Sequence, residues 1–218
     1  MKRSPPRLLI WITVALMAAS AVTIVVAKGY AAPRVSISYA EHPTIGNPKA
    51  RVHLVVFEEP KCTNCARFTE ELFPEIKKRF IDTNKATYTV IPVSFLSGSM
   101  PAATALLCAY NADPLYPNGD LFFAYLDYLY KHQPSESEDW ATVDRLIAMA
   151  KETSPALNPN QLRKCIDTQL YRIRIQKNTE LGEKIMQGAL ATPTLFVDGV
   201  MVEPLTLQRV NELIGGRL

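Results

Sequence analysis

Between Val52 and Cys65 the chain runs ValHisLeuValValPheGluGluProLysCysThrAsnCys. Few arrangements satisfy such a stretch. Val52 to Phe57 is almost wholly apolar and β-branched, which suits a strand buried on both faces of a sheet. Pro60 marks a turn, two cysteines three apart follow, and Phe68, Leu72, Ile76 and Phe80 then recur at helical spacing. The spacing predicts a helix over 62–80, kinked at Pro74, where a backbone donor is lost.

A Cys-x-x-Cys pair at a strand-to-helix turn points first to dithiol redox chemistry. At a helix start, free N–H groups and the helix dipole favour a thiolate on Cys62, and Lys61 adds a positive neighbour. Cys65 falls one turn deeper on the same face, within reach to resolve a mixed disulfide. Thr63 and Asn64 lie between them. The competing readings are half of a zinc site or a plain structural bridge. Zinc needs about four ligands. There is no second Cys-x-x-Cys, and His42, His53 and His132 are isolated, so no metal is expected.

The two cysteines work as a redox pair only where they can be oxidised, and the N-terminus bears on that. Leu8 to Ala27 carries no charge and follows Lys2, Arg3 and Arg7. About twenty residues at ~1.5 Å rise match the hydrocarbon core of a bilayer, and the flanking cations predict that the following chain is exported. An uncleaved anchor is expected over 8–27. A cleaved signal is the alternative, with Ala19-Ser20-Ala21 as its small-residue site. Either way the domain is extracytoplasmic, in the periplasm or on the outer face of the membrane. Residues 1–33 hold 4 of the 24 basic residues and no acid, leaving 20 basic against 21 acidic residues beyond them. That near-neutral remainder gives no electrostatic case for nucleic acid.

Residues 28–50 read as a polar connector, with Val35, Ile37 and Tyr39 alternating as a short strand. Ala86 to Phe95 is a second strand. Helices are expected over 102–110, 121–130, 138–151, 159–168 and 171–187, the fourth capped by Asn158 with Pro159 in its first turn. Thr194 to Val197 returns to strand, Asp198-Gly199 is a hairpin turn, 200–202 pairs back, and Thr206 caps a last helix to about Ile214. The order is β-α-β, a helical block of about 90 residues, then β-hairpin-α. The domains are thus 1–33, a basic tip with an anchor or signal, and 34–218, an α/β domain with a helical insertion at about 99–189.

Two further features remain. Ala191-Thr192-Pro193-Thr194 sits just before a strand. It reads either as an ordinary trans proline at a strand start or as a cis-proline loop against the dithiol, with the Thr192 backbone pairing with an extended substrate. Cys108 and Cys165 both fall in the helical block. Export favours a bridge between them over two buried free thiols.

In their order, these pieces resemble the DsbA-like thiol:disulfide oxidoreductases of the thioredoxin superfamily. The motifs are Ile45-Gly46-Asn47-Pro48-Lys49-Ala50, the strand 52–57, Glu59, Cys62-Thr63-Asn64-Cys65, Thr192-Pro193-Thr194 and Asp198-Gly199. The resemblance covers about residues 40–214. It implies a thioredoxin fold with a helical insertion between its βαβ half and its C-terminal β-hairpin-α half. It also implies a cis bond at Thr192-Pro193, Cys62 as nucleophile, and no cofactor besides the redox-active disulfide. The implied partners are reduced exported client proteins and a quinone-linked membrane protein, DsbB-like or VKOR-like, that reoxidises the dithiol. A monomer is expected.

Two departures from the family pattern stand out. Many relatives carry a buried acid six residues before the first cysteine, where this chain has Val56. Glu58 or Glu59 is a substitute, unless the pair forms only a solvated acidic turn. Thr63-Asn64 lacks the histidine of strongly oxidising members, and this, with Thr192 before the proline, points to a milder oxidant. Isomerases of this kind carry a separate dimerisation domain, for which the roughly twenty connector residues leave no room, so an oxidase is expected ahead of an isomerase. A reductase would run the same residues in reverse. A non-enzymatic copper or client holder using the two thiols is the alternative of another class.

Overall fold

A computed structural model describes residues 33–113 and 115–216. The expected basic tip and the apolar stretch 8–27 lie outside the described residues. Among the described residues no helix is long and apolar enough to cross a membrane.

The sheet forms around the stretch of highest β-propensity. β2 (Val52–Glu58) pairs in parallel with β3 (Ala86–Pro92), Val56 opposite Val90. On its other side β2 pairs antiparallel with β4 (Thr194–Val197), which turns into β5 (Val200–Met201). β1 (Thr44–Gly46) closes the far edge against β3, so the order is β1-β3-β2-β4-β5. Alternation along β2 sends Val52, Leu54 and Val56 into the larger core and Val55 and Phe57 into a second core on the opposite face. This is the doubly buried strand that its apolar run predicts.

Between β2 and β3 the helical path has the expected extent but is less regular than a single kinked helix. α1 (Thr63–Arg67) and α2 (Phe73–Ile76) are joined and followed by π-helical turns over Phe68–Leu72 and Lys77–Ile81. Pro74 lies in the first turn of α2, where its missing N–H coincides with the wider π turn before it.

The helical insertion runs from α3 (Met100–Tyr110) through α4 (Gly119–His132), α5 (Val143–Thr153) and α6 (Pro159–Asp167) to α7 (Arg172–Ile185). α3 is buried from Ala102 to Ala109, the central helix of the block. Asn118, Thr142 and Asn158 cap α4, α5 and α6 with their side chains. α5 therefore starts at Val143, not at Glu138; Trp140 and Ala141 are buried on the approach to the Thr142 cap. α7 covers the second face of the sheet, where Leu181 and Ile185 meet Phe57 and Phe196. Thr206 then caps α8 (Leu207–Gly215).

Val35–Tyr39 does not form the expected strand. Arg34 makes a single bridge to Val200, and the two-residue β5 offers no longer ladder to pair with. The alternation still packs Val35, Ile37 and Tyr39 onto the second core. β3 ends at Pro92, short of Phe95, because its partner β2 ends at Glu58 and Ser94 N–H turns to Thr179 Oγ1. The hairpin at Asp198-Gly199 has φ of 47° and 79°, the left-handed pair that an Asp-Gly turn supplies. Gly199 has no alternative, since a Cβ there would sit 2.1 Å from Val35 O.

Candidate active site

The chain leaves β2 at Glu58 and reaches the cysteines through a turn made by Glu59. The Glu59 carboxylate accepts the Lys61 N–H at 2.9 Å and the Leu96 N–H at 2.9 Å, so one side chain ties the turn to the loop after β3. Cys62 is the N-cap of α1, with extended φ and ψ of −71° and 120°, and its carbonyl accepts the Ala66 N–H. Its sulfur therefore stands at the free amides of the helix start, while Cys65 lies inside the first turn.

The two thiols are unpaired and differ in environment. Cys62 keeps 6% of its surface exposed and Cys65 none. A hydrogen bond from the Cys65 thiol, then the Thr192 side chain and the N–H groups of Cys65 and Asn64, bring Cys62 down to about 6, against the upward pull of burial. Burial, the bond to Cys62 and the charge of Glu58 hold Cys65 well above the usual thiol range. At neutral pH the pair is thus one thiolate beside one thiol, the state that thiol–disulfide exchange requires.

The loop before β4 packs on this pair. The Thr192-Pro193 bond is cis, and the Cys62 thiol points at Thr192 O across 3.5 Å. The Thr192 hydroxyl is buried and makes no hydrogen bond among the described residues, leaving it able to donate to a thiolate. Beside it runs a groove of about 270 Å³, lined by Asn64, Arg67, Phe68, Leu72, Pro193 and Leu205.

The acidic pair is not a solvated turn. Glu58 is 1% exposed and Glu59 is fully buried. Tyr88 OH donates to one Glu58 oxygen at 3.1 Å and Tyr130 OH to the other at 3.0 Å. Desolvation outweighs these bonds and lifts Glu58 to about 7, and Glu59 likewise to about 7. Val56 carries no acid, but the buried carboxyl is supplied two residues later and faces both cysteines electrostatically. Local sequence conceals this, because Glu-Glu-Pro-Lys looks like surface and the two tyrosines come from β3 and α4.

Lys61, expected as a positive neighbour of the sulfur, is buried and donates its ammonium to Ser97 O at 2.7 Å, so it holds the loop after β3. Thr63 and Asn64 are exposed and contribute through their backbone N–H groups. Two site contacts were missed altogether: Gln133 Nε2 donates to Cys62 O at 3.4 Å, and Glu136 accepts the Thr63 N–H at 2.8 Å. Both come from the loop after α4, seventy residues on, with no local motif to mark them. Cys108 and Cys165 are bonded to each other, Cα atoms 6.2 Å apart, between α3 and α6. Among the described residues no three His, Cys, Asp or Glu side chains gather to hold a metal.

A thiolate–thiol pair at a strand end, facing a cis-proline loop on this sheet order, defines a thiol:disulfide oxidoreductase of the thioredoxin fold. A family model described as thioredoxin matches residues 38–215, and the chain belongs to that family, in its DsbA-like branch. Disulfide bond formation protein D of Bacillus subtilis is 30% identical over 162 residues, 74% of this chain and 69% of that one. Among solved structures, Chlamydia trachomatis DsbA superposes with a TM-score of 0.76 at 38% identity, covering 84% of this chain and 96% of that one. Oxidised BdbD of Bacillus subtilis gives 0.75 at 27% identity, covering 85% and 97%.

Proposed function

We propose that the chain is an extracytoplasmic oxidase that introduces disulfides into exported proteins. The observation that carries this is the split between the thiols: Cys62 depressed to about 6, Cys65 raised well above its ordinary value. A thiolate stabilised in the reduced form favours reduction of the site disulfide and hence oxidation of the client.

A client thiolate attacks Cys62 of the Cys62–Cys65 disulfide, and Cys65 leaves with the electron pair and takes up a proton. A second client thiolate then attacks the client sulfur of the mixed disulfide, and Cys62 leaves as a thiolate. The client loses two electrons and two protons; the site gains both electrons and one proton, on Cys65, and the other proton goes to solvent because Cys62 stays a thiolate. In the reverse half-cycle Cys65 must be deprotonated, a task for which Glu58 is the adjacent base. Pro193 lines a groove suited to an extended client segment, with the backbone of the preceding Thr192 as the segment's expected partner. A membrane redox protein, DsbB-like or VKOR-like, restores the disulfide. The apolar stretch 8–27 supports delivery across a membrane, and the Cys108–Cys165 bridge supports an oxidising compartment.

The test is oxidative refolding of a reduced ribonuclease together with equilibration against glutathione. Wild type is expected to restore ribonuclease activity, Cys62→Ala to abolish it, and Cys65→Ala, offered oxidised glutathione, to release one glutathione thiolate and stop at a Cys62 mixed disulfide. Thr63-Asn64 in place of a histidine-containing dipeptide leads us to expect a milder oxidant than the strongest members. A potential near about −120 mV would defeat that part. Rapid insulin reduction without ribonuclease oxidation would overturn the oxidase reading and leave a reductase.

A further inference from the structure

Glu136 lies in the loop between α4 and α5, is exposed to solvent, and reaches across to the active-site helix. Its Oε2 accepts the Thr63 N–H at 2.8 Å. Thr63 is the residue after Cys62 and the first of α1, so this amide is the first of the free donors at the helix start. The next two, on Asn64 and Cys65, are those that stabilise a Cys62 thiolate. Three residues before Glu136, Gln133 donates to Cys62 O at 3.4 Å. One loop of the insertion therefore holds both polar groups of the peptide unit that joins Cys62 to Thr63.

We propose that Glu136 is a positioning residue of the dithiol site: its carboxylate shares the N-terminal amides of α1 with Cys62 and opposes the thiolate there. Two negative groups compete for one set of donors and one end of a helix. The carboxylate occupies an amide adjacent to Cys62 and places its charge at the helix end that the thiolate uses. Its presence destabilises the reduced, thiolate form and so tempers the site as an oxidant. The other groups that face Cys62 are Glu58 and Glu59 from the end of β2, Cys65 on α1, and Thr192 from the loop before β4. Lys61, the nearest cation in sequence, is turned to Ser97 O. Glu136 thus reaches the active-site helix from the solvent side and, being exposed, can be removed without opening the core.

The proposal rests on Cys62 being the reactive sulfur. Exchange activity surviving in Cys62→Ala would remove that reading, whereas the experiment here follows ionisation of the thiol itself. Reduced wild type, E136Q, E136A, E136D and E138Q are titrated by thiolate absorbance, and each is equilibrated with glutathione. Glu138 is an exposed carboxylate of the same loop and controls for net charge. E136Q and E136A are expected to lower the Cys62 midpoint and to shift the glutathione equilibrium roughly two- to fivefold toward oxidised glutathione. E138Q is expected to match wild type, and E136D to restore part of the wild-type value. The proposal is overturned if neither Glu136 variant moves the midpoint, if E138Q moves it equally, or if E136A moves it and E136Q does not. The last outcome would mean that the hydrogen bond, not the charge, sets the thiol. Melting of the oxidised variants, expected unchanged, separates tuning from loss of fold.

Discussion

Burial takes the Glu58 carboxyl out of water, and two tyrosine hydroxyls replace only part of that hydration. The charged form loses, and the group titrates near 7 in the folded state against its ordinary value near 4.5. Between those values the folded protein holds a proton that the unfolded chain has released. Stability from this source is present below about 4.5, falls as pH rises toward about 7, and stays lost above. Glu59 contributes in the same direction. Glu58→Gln keeps the shape and removes the charge. Its melting temperature is expected to fall less than wild type between pH 5 and pH 8 in calorimetry. The same variant is expected to slow attack of Cys65 on a mixed disulfide at pH 7 by about tenfold or more, since the adjacent base is gone. Iodoacetamide capture of Cys62 should be little changed. Equal resolution rates in both proteins would deny Glu58 a proton-transfer role.

At the scale of elements, the clearest case is the bridge between α3 and α6. Cys108 and Cys165 close a loop of 57 residues within the helical block. By chain entropy such a crosslink is worth about 4 kcal/mol. Cys108→Ser with Cys165→Ser is expected to lose on the order of that amount in urea unfolding, while the Cys62 thiolate titration stays in place. Loss of the titration along with stability would mean that the insertion sets the site directly. Elements with a strong local period were legible in the chain: β2 from its apolar run, α6 from Asn158-Pro159, the hairpin from Asp198-Gly199. Elements defined by a partner were not. β1 is three residues long and exists only because β3 offers an edge, and Gly46 is needed there because a Cβ would stand 2.7 Å from Ala86 O. Val35–Tyr39 has the alternation of a strand and no ladder to join. The site divides the same way. Cys62, Cys65, Thr192 and Pro193 announce themselves by motif. The burial of Glu58, the turn of Lys61 toward Ser97, and the reach of Gln133 and Glu136 depend on residues that are distant in the chain.

For the molecule as a whole, redox state and stability are one equilibrium. The reduced protein carries a Cys62 thiol that titrates near 6, against an ordinary value near 9 in the unfolded chain, and the oxidised protein carries no such group. From about pH 6 to about pH 9 the unfolded reduced chain holds a proton that the folded one lacks. Reduced-state stability from this source is therefore full above about 9 and is lost as pH falls through about 6. Cys65 acts oppositely, but only above the ordinary thiol value, since its folded form keeps its proton longer. The carboxyls Glu58 and Glu59 are present in both redox forms, so a difference between the forms largely removes them. Urea unfolding of the oxidised and reduced proteins at pH 5.5, 7 and 8.5 is the measurement. The stability of the reduced form relative to the oxidised form is expected to grow across that series. The glutathione equilibrium at the same pH values, corrected for glutathione's own ionisation, should follow the same rise. The disulfide's constraint on the unfolded chain adds an offset that does not depend on pH, so it leaves the slope untouched. A difference that stays flat from pH 5.5 to 8.5 would mean that Cys62 is not held as a thiolate, and the fold would then have no preference for running as an oxidant.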